Sequence, residues 1–516
     1  METLATNSLR PSWMLDEQFI VENIFVFMKA DSLPTSRPIA IDSTNLADIF
    51  QMYDSITYQK GAAVIRMMSM FLGAETFRRG VQTYLKDLSY SSATERDLWT
   101  YLSRAANNTI DVEQIMNGWT RQAGYPVVEV NRVYNTINQA KVNGRMTISQ
   151  RPFTLFSTTT KQEQWWIPFK YFDRTWTDAE IVWLNDTSTT VDITTVDSDW
   201  ILANPGYFSI YRTKYDAHNF QLIITQLQTD HTRIPAVTRG ALIDDTFALS
   251  RTGLINATDA YELIRYLKSE TDYVPWIAAL SAMNEQEELL VDREILLDIQ
   301  RYFLDLVLPI YNTIDWDSID ESTDWLRTLL RPSIVSAACH YEHSECIETA
   351  SQVYRRWTLY PNLNQIPADL RSIVYCTVVR QGSRADFDFL WTRLENELIA
   401  SETLNLLVGL ACTEDSSLII WFLNQHLINE SVIRDQDVPW SIANVARSSS
   451  LGNQIVWNWI RDHWSTLFEK WGKTDDNLGQ IIEAVTARFV SVRQRDEFKT
   501  FADSIIDKGK RLRFVL

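Results

Sequence analysis

No stretch of the 516-residue sequence is apolar for long enough to span a bilayer. Met1 to Pro11 holds no apolar core of signal-peptide length. The end of the chain, Lys510-Arg511-Leu512-Arg513-Phe514-Val515-Leu516, lacks the form of a lipid-anchor tail. Cations are in deficit: 48 Lys and Arg stand against 66 Asp and Glu, a formal charge of −18. A phosphate backbone would be repelled, which argues against nucleic acid as a partner. The acidity otherwise speaks to solubility. The common catalytic signatures are missing as well. There is no glycine-rich phosphate loop and no Gly-x-Ser-x-Gly nucleophile elbow. There is no His-Glu-x-x-His, the helical pair that sets two imidazoles on one face beside a general base. None of the six histidines, His218, His231, His340, His343, His426 and His463, stands in that pattern.

What is present is an ordinary globular mix, 45% apolar and 22% charged. It is too long for one core and suggests roughly three domains. The 19 tryptophans imply large aromatic anchors in buried seams. With no leader or anchor the sequence reads as cytosolic, but two features point the other way. Four Asn-x-Ser/Thr sequons stand at Asn107, Asn185, Asn256 and Asn429, weak evidence because long chains carry a few by chance. All four cysteines, Cys339, Cys346, Cys376 and Cys412, fall in one region. An even number fits two disulfides, four buried thiols fit a cytosolic protein, and counting neither decides between them nor fixes a pairing.

Three textures follow one another. Residues 1 to about 125 read as helices, with Ile56, Ala63, Ile65, Met68, Phe71 and Leu72 on one apolar face. From 126 to about 213, Thr, Val, Ile, Tyr and Trp dominate. Met146 and Ile148 alternate with Thr147 and Ser149, a strand period, and Asn143-Gly144 is a hairpin-turn signal. Further short runs at Gln164–Tyr171, Glu180–Leu184, Val191–Thr195, Trp200–Ala203 and Tyr207–Thr213 argue for a small β-sandwich. From about 217 on, amphipathic segments return. The breaks between them include Arg233-Ile234-Pro235, Tyr360-Pro361-Asn362 and Val438-Pro439-Trp440. Ten to sixteen helices in a row, with no clean fixed period, must bury their faces on one another, and a stacked superhelical array does so naturally. A compact bundle is the alternative.

Two near-misses carry little. Cys339-His340-x-x-His343-x-x-Cys346 offers ligand types that suit zinc, but not at a standard finger spacing, and neighbouring extracellular cysteines more often pair. Ser281-Ala282-Met283-Asn284-Glu285 has the letters of a Gly-Ala-Met-Glu-Asn exopeptidase motif in the wrong order and without the glycine, and reads better as a helix end.

The informative stretch is Tyr53-Asp54-Ser55-Ile56-Thr57-Tyr58-Gln59-Lys60-Gly61-Ala62-Ala63-Val64-Ile65-Arg66-Met67-Met68. It resembles the segment of gluzincin aminopeptidases that supplies the catalytic tyrosine, usually (Phe/Tyr)-Asp-x-Ile-(Ser/Thr)-Tyr-x-Lys-Gly-Ala. Pro11-Ser12-Trp13 and Asp31-Ser32-Leu33-Pro34-Thr35-Ser36-Arg37-Pro38-Ile39 resemble the family's stretch before it. Trp119-Thr120-Arg121-Gln122-Ala123-Gly124-Tyr125-Pro126-Val127-Val128 resembles its exit from the catalytic domain. Trp165-Trp166-Ile167-Pro168 and Trp200-Ile201-Leu202-Ala203-Asn204 resemble its β-sandwich. Arg239 to Leu249 and Tyr273-Val274-Pro275-Trp276 resemble the start of its helical domain. The resemblance, to the C-terminal portion of the aminopeptidase N-like zinc metallopeptidases of the membrane-associated animal or insect type, runs in order through essentially the whole chain.

That resemblance implies a fold that is mainly α with a β-sandwich. Residues 1–125 would be the helical end of a thermolysin-like catalytic domain, 126–214 the sandwich, and 215–516 a HEAT- or armadillo-like helical cap. It implies Tyr58 as the group that stabilises the oxyanion of the transition state. A phenol suits this because it donates one aimed hydrogen bond whose benefit grows as charge develops on the acceptor. Loss of such a donor costs about 3–4 kcal/mol in the barrier. In the family's extracellular branch one cysteine pair stands seven residues apart and a second 36 apart. Cys339 and Cys346, and Cys376 and Cys412, repeat those spacings. The resemblance therefore implies these two disulfides, the longer loop contributing about 3–4 kcal/mol.

The cofactor implied is zinc in the full-length enzyme, with none expected to bind this chain, because the ligands of the family lie before its Pro-x-Trp. Met1-Glu2-Thr3-Leu4-Ala5 looks like the middle of a helix. Ser209 stands where the family usually has Gly before Tyr211-Arg212, a departure in a strand and not in the chemistry. The function implied is a C-terminal fragment of an aminopeptidase that releases N-terminal residues from peptides, with the chain alone inactive. The alternative is a non-catalytic extracellular binding or receptor lobe. Peptide substrates, a homodimer and protein ligands of the ectodomain are the implied partners. The implied location is the extracellular face of the plasma membrane, tethered through segments absent here and glycosylated at the sequons.

Overall fold

The computed structural model describes residues 2–41, 52–134, 144–156, 163–176, 180–317, 324–428, 431–472 and 477–506. Asn143 of the expected hairpin turn and the Asn429 sequon lie outside these residues. The chain divides into two compact units, Met1–Ala282 and Met283–Leu516, and it is rich in helix with small sheets.

The first unit opens with helices. Gly61–Leu72 buries Ala63, Val64, Met67, Met68, Phe71 and Leu72, positions three and four apart on one stripe. Ile65, expected on that stripe, is 49% exposed, because its phase places it on the opposite face. Gly73, with φ +79, ends the helix in a conformation that a side chain would strain. The next helix, Ala74–Asp87, starts at once. Glu95–Ala105 begins on a capping box of Thr94 and Asp97, and Val112–Arg121 on the Asp111 side chain, which accepts from Gln114 N–H.

Among the described residues eight strands follow: β1 (Pro126–Val133), β2 (Gly144–Pro152), β3 (Ile167–Phe169), β4 (Tyr171–Asp173), β5 (Val182–Leu184), β6 (Ser188–Ile193), β7 (Ile201–Ala203) and β8 (Arg212–Tyr215). One sheet runs β6-β2-β1-β8; β3 pairs with β5, and β4 with β7. β1 and β2 are antiparallel from Pro126 opposite Pro152 to Val133 opposite Arg145, while β8 joins β1 in parallel. Met146 and Ile148 are fully buried and Thr147 and Ser149 are not, as the period of two requires. The run Tyr207–Thr213 is a strand only from Arg212. Before that, Asn204, Gly206 and Tyr207 all have positive φ. The Asn204 amide bonds Ser209 O and Tyr211 O, and its Oδ1 accepts Ser209 N–H. A side chain has taken the backbone groups that a ladder would use.

Fifteen α-helices follow from Ala217 on among the described residues, within the expected ten to sixteen. Ala217–Asp230, Ala236–Arg251 and Ala257–Leu263 belong to the first unit. Tyr273–Leu290 crosses the division and contains Ser281–Glu285 well inside it, not at its end. Val438-Pro439-Trp440 begins a helix, Val438–Ser448, where the fixed φ of proline in the first turn costs no hydrogen bond.

In the second unit helices pack on their second neighbours as well as their first. Arg371–Gln381 lies on Ala400–Ala411, and Val438–Ser448 on Asn477–Thr486. At the first of these contacts a Cβ on Gly409 would stand 2.5 Å from the Tyr375 Cβ, so glycine permits the approach. The Cys376–Cys412 disulfide fastens the end of the same helix pair, with Cα atoms 5.1 Å apart. Cys339–Cys346 joins Trp325–His340 to Ser344–Leu359.

Candidate active site around Tyr58

Tyr58 stands in a widened turn, Ile56–Lys60, that leads into the helix Gly61–Leu72. Lys60 N–H bonds Ser55 O at 2.9 Å, five residues back, and Gly61 N–H reaches Ile56 O. Such π turns hold one residue more than an α turn and recur at functional sites. The entry to the turn is fixed by Asp54. Its Oδ1 accepts Ile56 N–H and Thr57 N–H, each at 3.0 Å. Arg37 grips the same carboxylate with two bonds, Nε to Oδ2 at 3.1 Å and Nη2 to Oδ1 at 2.6 Å, and Nη2 also bonds Thr57 Oγ1 at 2.7 Å. The planar fork of arginine makes this a geometric clamp as well as a charge pair.

The exit is fixed by Lys60. Its ammonium pairs with Asp31 at 2.8 Å, both side chains being 0% exposed. It also donates to Gly124 O at 3.0 Å and Gln122 O at 3.4 Å. Asp31 accepts Gly124 N–H at 2.9 Å and the Ser36 hydroxyl. Three sequence segments recognised separately, Asp31–Ile39, Tyr53–Met68 and Trp119–Val128, therefore converge on one turn. Its own ring stays out: Tyr58 is 55% exposed and touches Tyr53 with centroids 6.3 Å apart. The arrangement presents one phenol from a turn clamped on both sides. The sequence pointed to Tyr58 but not to Asp31, Arg37, Asp54 and Lys60 as its supports. All four stand inside the recognised stretches, which is the signal that was available.

Two turns further on, Arg66 donates to Gly206 O at 2.9 Å and to Tyr207 O, tying the helix to the irregular loop before β8. Burial pulls its guanidinium below the usual arginine range, with Asp16 opposing. Behind this lies a second buried cluster. Arg212 bonds the Tyr125 hydroxyl at 3.1 Å, Asp244 at 2.7 Å and Asp245 at 3.1 Å. Tyr125 donates to Met28 O at 2.8 Å, and Asp245 accepts Thr213 N–H at 2.8 Å. Burial pushes the Asp245 carboxyl up to about 7, against the pull of Arg212. No access to solvent or to a reacting group accompanies it, and its role is to hold segments together.

The histidines are dispersed. His426 is buried, with Nδ1 on Phe422 O at 2.8 Å and Nε2 on Ser441 Oγ at 2.9 Å. The carbonyl can only accept, so Nδ1 carries the proton and Nε2 accepts from the serine. His340 Nε2 meets Glu287 at 2.9 Å, and His343 packs on Tyr311 with centroids 5.1 Å apart. With Cys339 and Cys346 bonded to each other, the thiolates that a zinc reading of that cluster needs are spent. Among the described residues no group of three or more His, Cys, Asp and Glu side chains is placed to hold a metal ion. Asn107, Asn185 and Asn256 are all exposed. No described helix is long and apolar enough to cross a membrane.

Residues 200–515 match the family described as the ERAP1-like C-terminal domain, and residues 1–119 match the peptidase family M1 domain. The chain belongs to peptidase family M1, as an aminopeptidase N-like member. It is 32% identical over 519 residues to aminopeptidase Ey of Gallus gallus, which covers 97% of this chain and 52% of that protein. It is 31% identical over 526 residues to aminopeptidase N of Homo sapiens, covering 97% and 52%. To the thyrotropin-releasing hormone-degrading ectoenzyme of Rattus norvegicus it is 31% identical over 524 residues, covering 98% and 48%. The chain spans about half the length of the curated relatives it matches.

Proposed function

We propose that this chain is the C-terminal part of an aminopeptidase that removes N-terminal residues from peptides, and that it supplies Tyr58 to the reaction. The carrying observation is the convergence on Tyr58: the Arg37–Asp54 clamp before it, the Lys60–Asp31 pair after it, and an exposed ring between them. A hydrogen-bond donor contributes to the transition state when it is aimed before the charge appears and pays no reorganisation as it does. In this reading the Tyr58 hydroxyl donates to the oxygen of the scissile carbonyl as it becomes an oxyanion. The clamped turn fixes the direction of that bond.

Metal binding and recognition of the substrate's α-amine fall to residues beyond these 516, and no step is assigned to a metal here. Residues 1–125 then act as the end of a thermolysin-like catalytic domain, 126–214 as a β-sandwich, and 215–516 as a superhelical cap that limits entry to peptides. The strands between Pro126 and Tyr215 and the helices after Ala217 support this division. The disulfides and the exposed asparagines Asn107, Asn185 and Asn256 support an extracellular setting. A membrane tether through absent segments, a homodimer and protein ligands complete the proposal.

Two measurements test it. Purified residues 1–516 are expected to hold no stoichiometric zinc and to leave amino-acid anilides uncleaved; metal with turnover would place a complete site inside the chain and sink the reading. In the enzyme extended to include its His-Glu-x-x-His segment, Tyr58→Phe is expected to lower kcat by about 100- to 1,000-fold with KM little changed. An unchanged kcat would remove Tyr58 from the reaction.

A further inference from the structure

Within the second unit a cavity of about 430 Å³ opens between the helices Ser450–Trp471 and Val492–Ile506 and the turn before the latter. That volume is within the range of small-molecule pockets, about 300–1,000 Å³. Its lining is rich in guanidinium donors. Arg461, Arg488 and Arg493 all face it, against two carboxylates, Asp292 and Glu497. Glu497 is already shared with Arg493 at 3.8 Å. Among the described residues Arg461 bonds only the neutral Asn458 Oδ1, at 2.5 Å, and it lies over the Trp457 ring at 5.1 Å. Arg488 bonds Arg447 O at 2.8 Å, at the end of the helix Val438–Ser448, and neither Arg461 nor Arg488 has a carboxylate within 4 Å among the described residues. Burial pulls the Arg488 guanidinium below the usual arginine range, with Glu288 and Glu287 opposing. Trp457, 4% exposed, carries a buried indole N–H with no partner among the described residues. An orphaned donor of this kind costs free energy until something accepts from it. On a chain of charge −18 this concentration of guanidinium stands out.

We propose that this cavity is a binding site for a small carboxylate with a flat apolar body. The carboxylate accepts from Arg461, Arg488 and the Trp457 indole, and the apolar body lies against Trp457 and Phe489, whose rings stand 5.4 Å apart. Charge-assisted bonds to guanidinium supply the affinity for the head, and aromatic contact selects the body. The site is independent of Tyr58 and stands or falls apart from the peptidase reading.

The test is calorimetric titration of the 516-residue protein with phenylacetate, using 2-phenylethanol, acetate and inorganic phosphate as controls. Phenylacetate is expected to saturate one site. The alcohol, which keeps the ring without the charge, and acetate, which keeps the charge without the ring, are each expected to bind at least about tenfold more weakly. Arg461→Gln is expected to weaken phenylacetate about tenfold, and Trp457→Phe, which removes only the N–H from an aromatic wall, to weaken it by a smaller factor. Arg488→Gln should do as much as Arg461→Gln, but Arg488 also holds a helix end, so the exposed Arg461 gives the deciding variant. Arg384→Gln, on another helix with its charge on Asp388, should change nothing. Absence of saturable phenylacetate binding, equal binding of 2-phenylethanol or phosphate, or unchanged binding by the folded Arg461→Gln protein would each overturn the proposal.

Discussion

The two compact units are fastened by different chemistry. In the first, segments about thirty residues apart are joined by charge pairs buried on both sides: Lys60 with Asp31, Arg212 with Asp245, and Arg239 with Glu270. No cysteine stands there. In the second, Arg331–Asp369 and Arg371–Glu402 each keep one side partly open, and two disulfides, spanning 7 and 36 residues, join helix to helix. Buried pairs add little net stability over a well-packed apolar replacement, yet losing one partner is severe. They suit a region where one arrangement of several segments must be chosen over others, as around Tyr58. Disulfides restrict the unfolded chain and serve a row of helices whose order is already set by sequence.

The sharpest way to break this contrast is Lys60→Met, which leaves Asp31 buried without its cation. The first unit is expected to lose about 3–5 kcal/mol, read as faster hydrogen exchange confined to residues of that unit, and the double variant with Asp31→Leu should recover much of it. If the single variant is silent, the pair is not what holds the turn. Next, replacing Cys376 and Cys412 by serine is expected to cost the second unit about 4 kcal/mol in the chain-entropy account, visible as a lower denaturant midpoint.

A pH series should then separate the units by sign. Burial lowers the His426 pKa in the second unit to about 4 from 6.5. The unfolded chain takes that proton first, so the contribution is full above about pH 6.5 and is lost as pH falls toward 4, about 3 kcal/mol in all. Asp245 in the first unit runs the other way. Its folded pKa of about 7 lies above the ordinary 3.8, so its contribution is full below about pH 4 and is lost as pH rises through 7. Asp245→Asn should flatten the slope of the first unit and leave that of the second. The smaller loop predicts a smaller effect: serine at Cys339 and Cys346 should cost about 2 kcal/mol. Smallest of all, Tyr58→Phe should shift stability by less than about 0.5 kcal/mol, since the ring is exposed. A large loss would mean that the hydroxyl is part of the fold rather than presented by it.

Texture along the chain located the helical and extended stretches, because local periodicity is what sets them. Met146 and Ile148 followed the alternation, and the breaks at Arg233-Ile234-Pro235 and Tyr360-Pro361-Asn362 separate helices, whereas Val438-Pro439-Trp440 opens one. Where expectation failed, a specific contact had prevailed. Ile65 is apolar and near the right spacing, but its phase sets it opposite the buried stripe. The Asn204 side chain captured the backbone that would have extended β8. Lys60 is the clearest illegible residue. A lysine between glutamine and glycine reads as solvated, and only the arrival of Asp31 and Gly124 from elsewhere makes its burial tolerable. The candidate cavity was invisible for the same reason, since Trp457 and Arg488 approach one another only through packing.

The widened turn at Ile56–Lys60 also bears on how this segment can vary. A π turn is an inserted residue that the helix has absorbed without unwinding. Side chains there can be exchanged at modest cost, but the count of residues cannot. Removing one would close the wide turn into an α turn and leave the helix beyond it in phase, so the change would fall on the side chains that the wide turn itself presents. Tyr58 would then lose the direction that the wide turn gives it, while the buried stripe from Ala63 to Leu72 stayed seated. Length, more than composition, is the property of this stretch that selection has to guard.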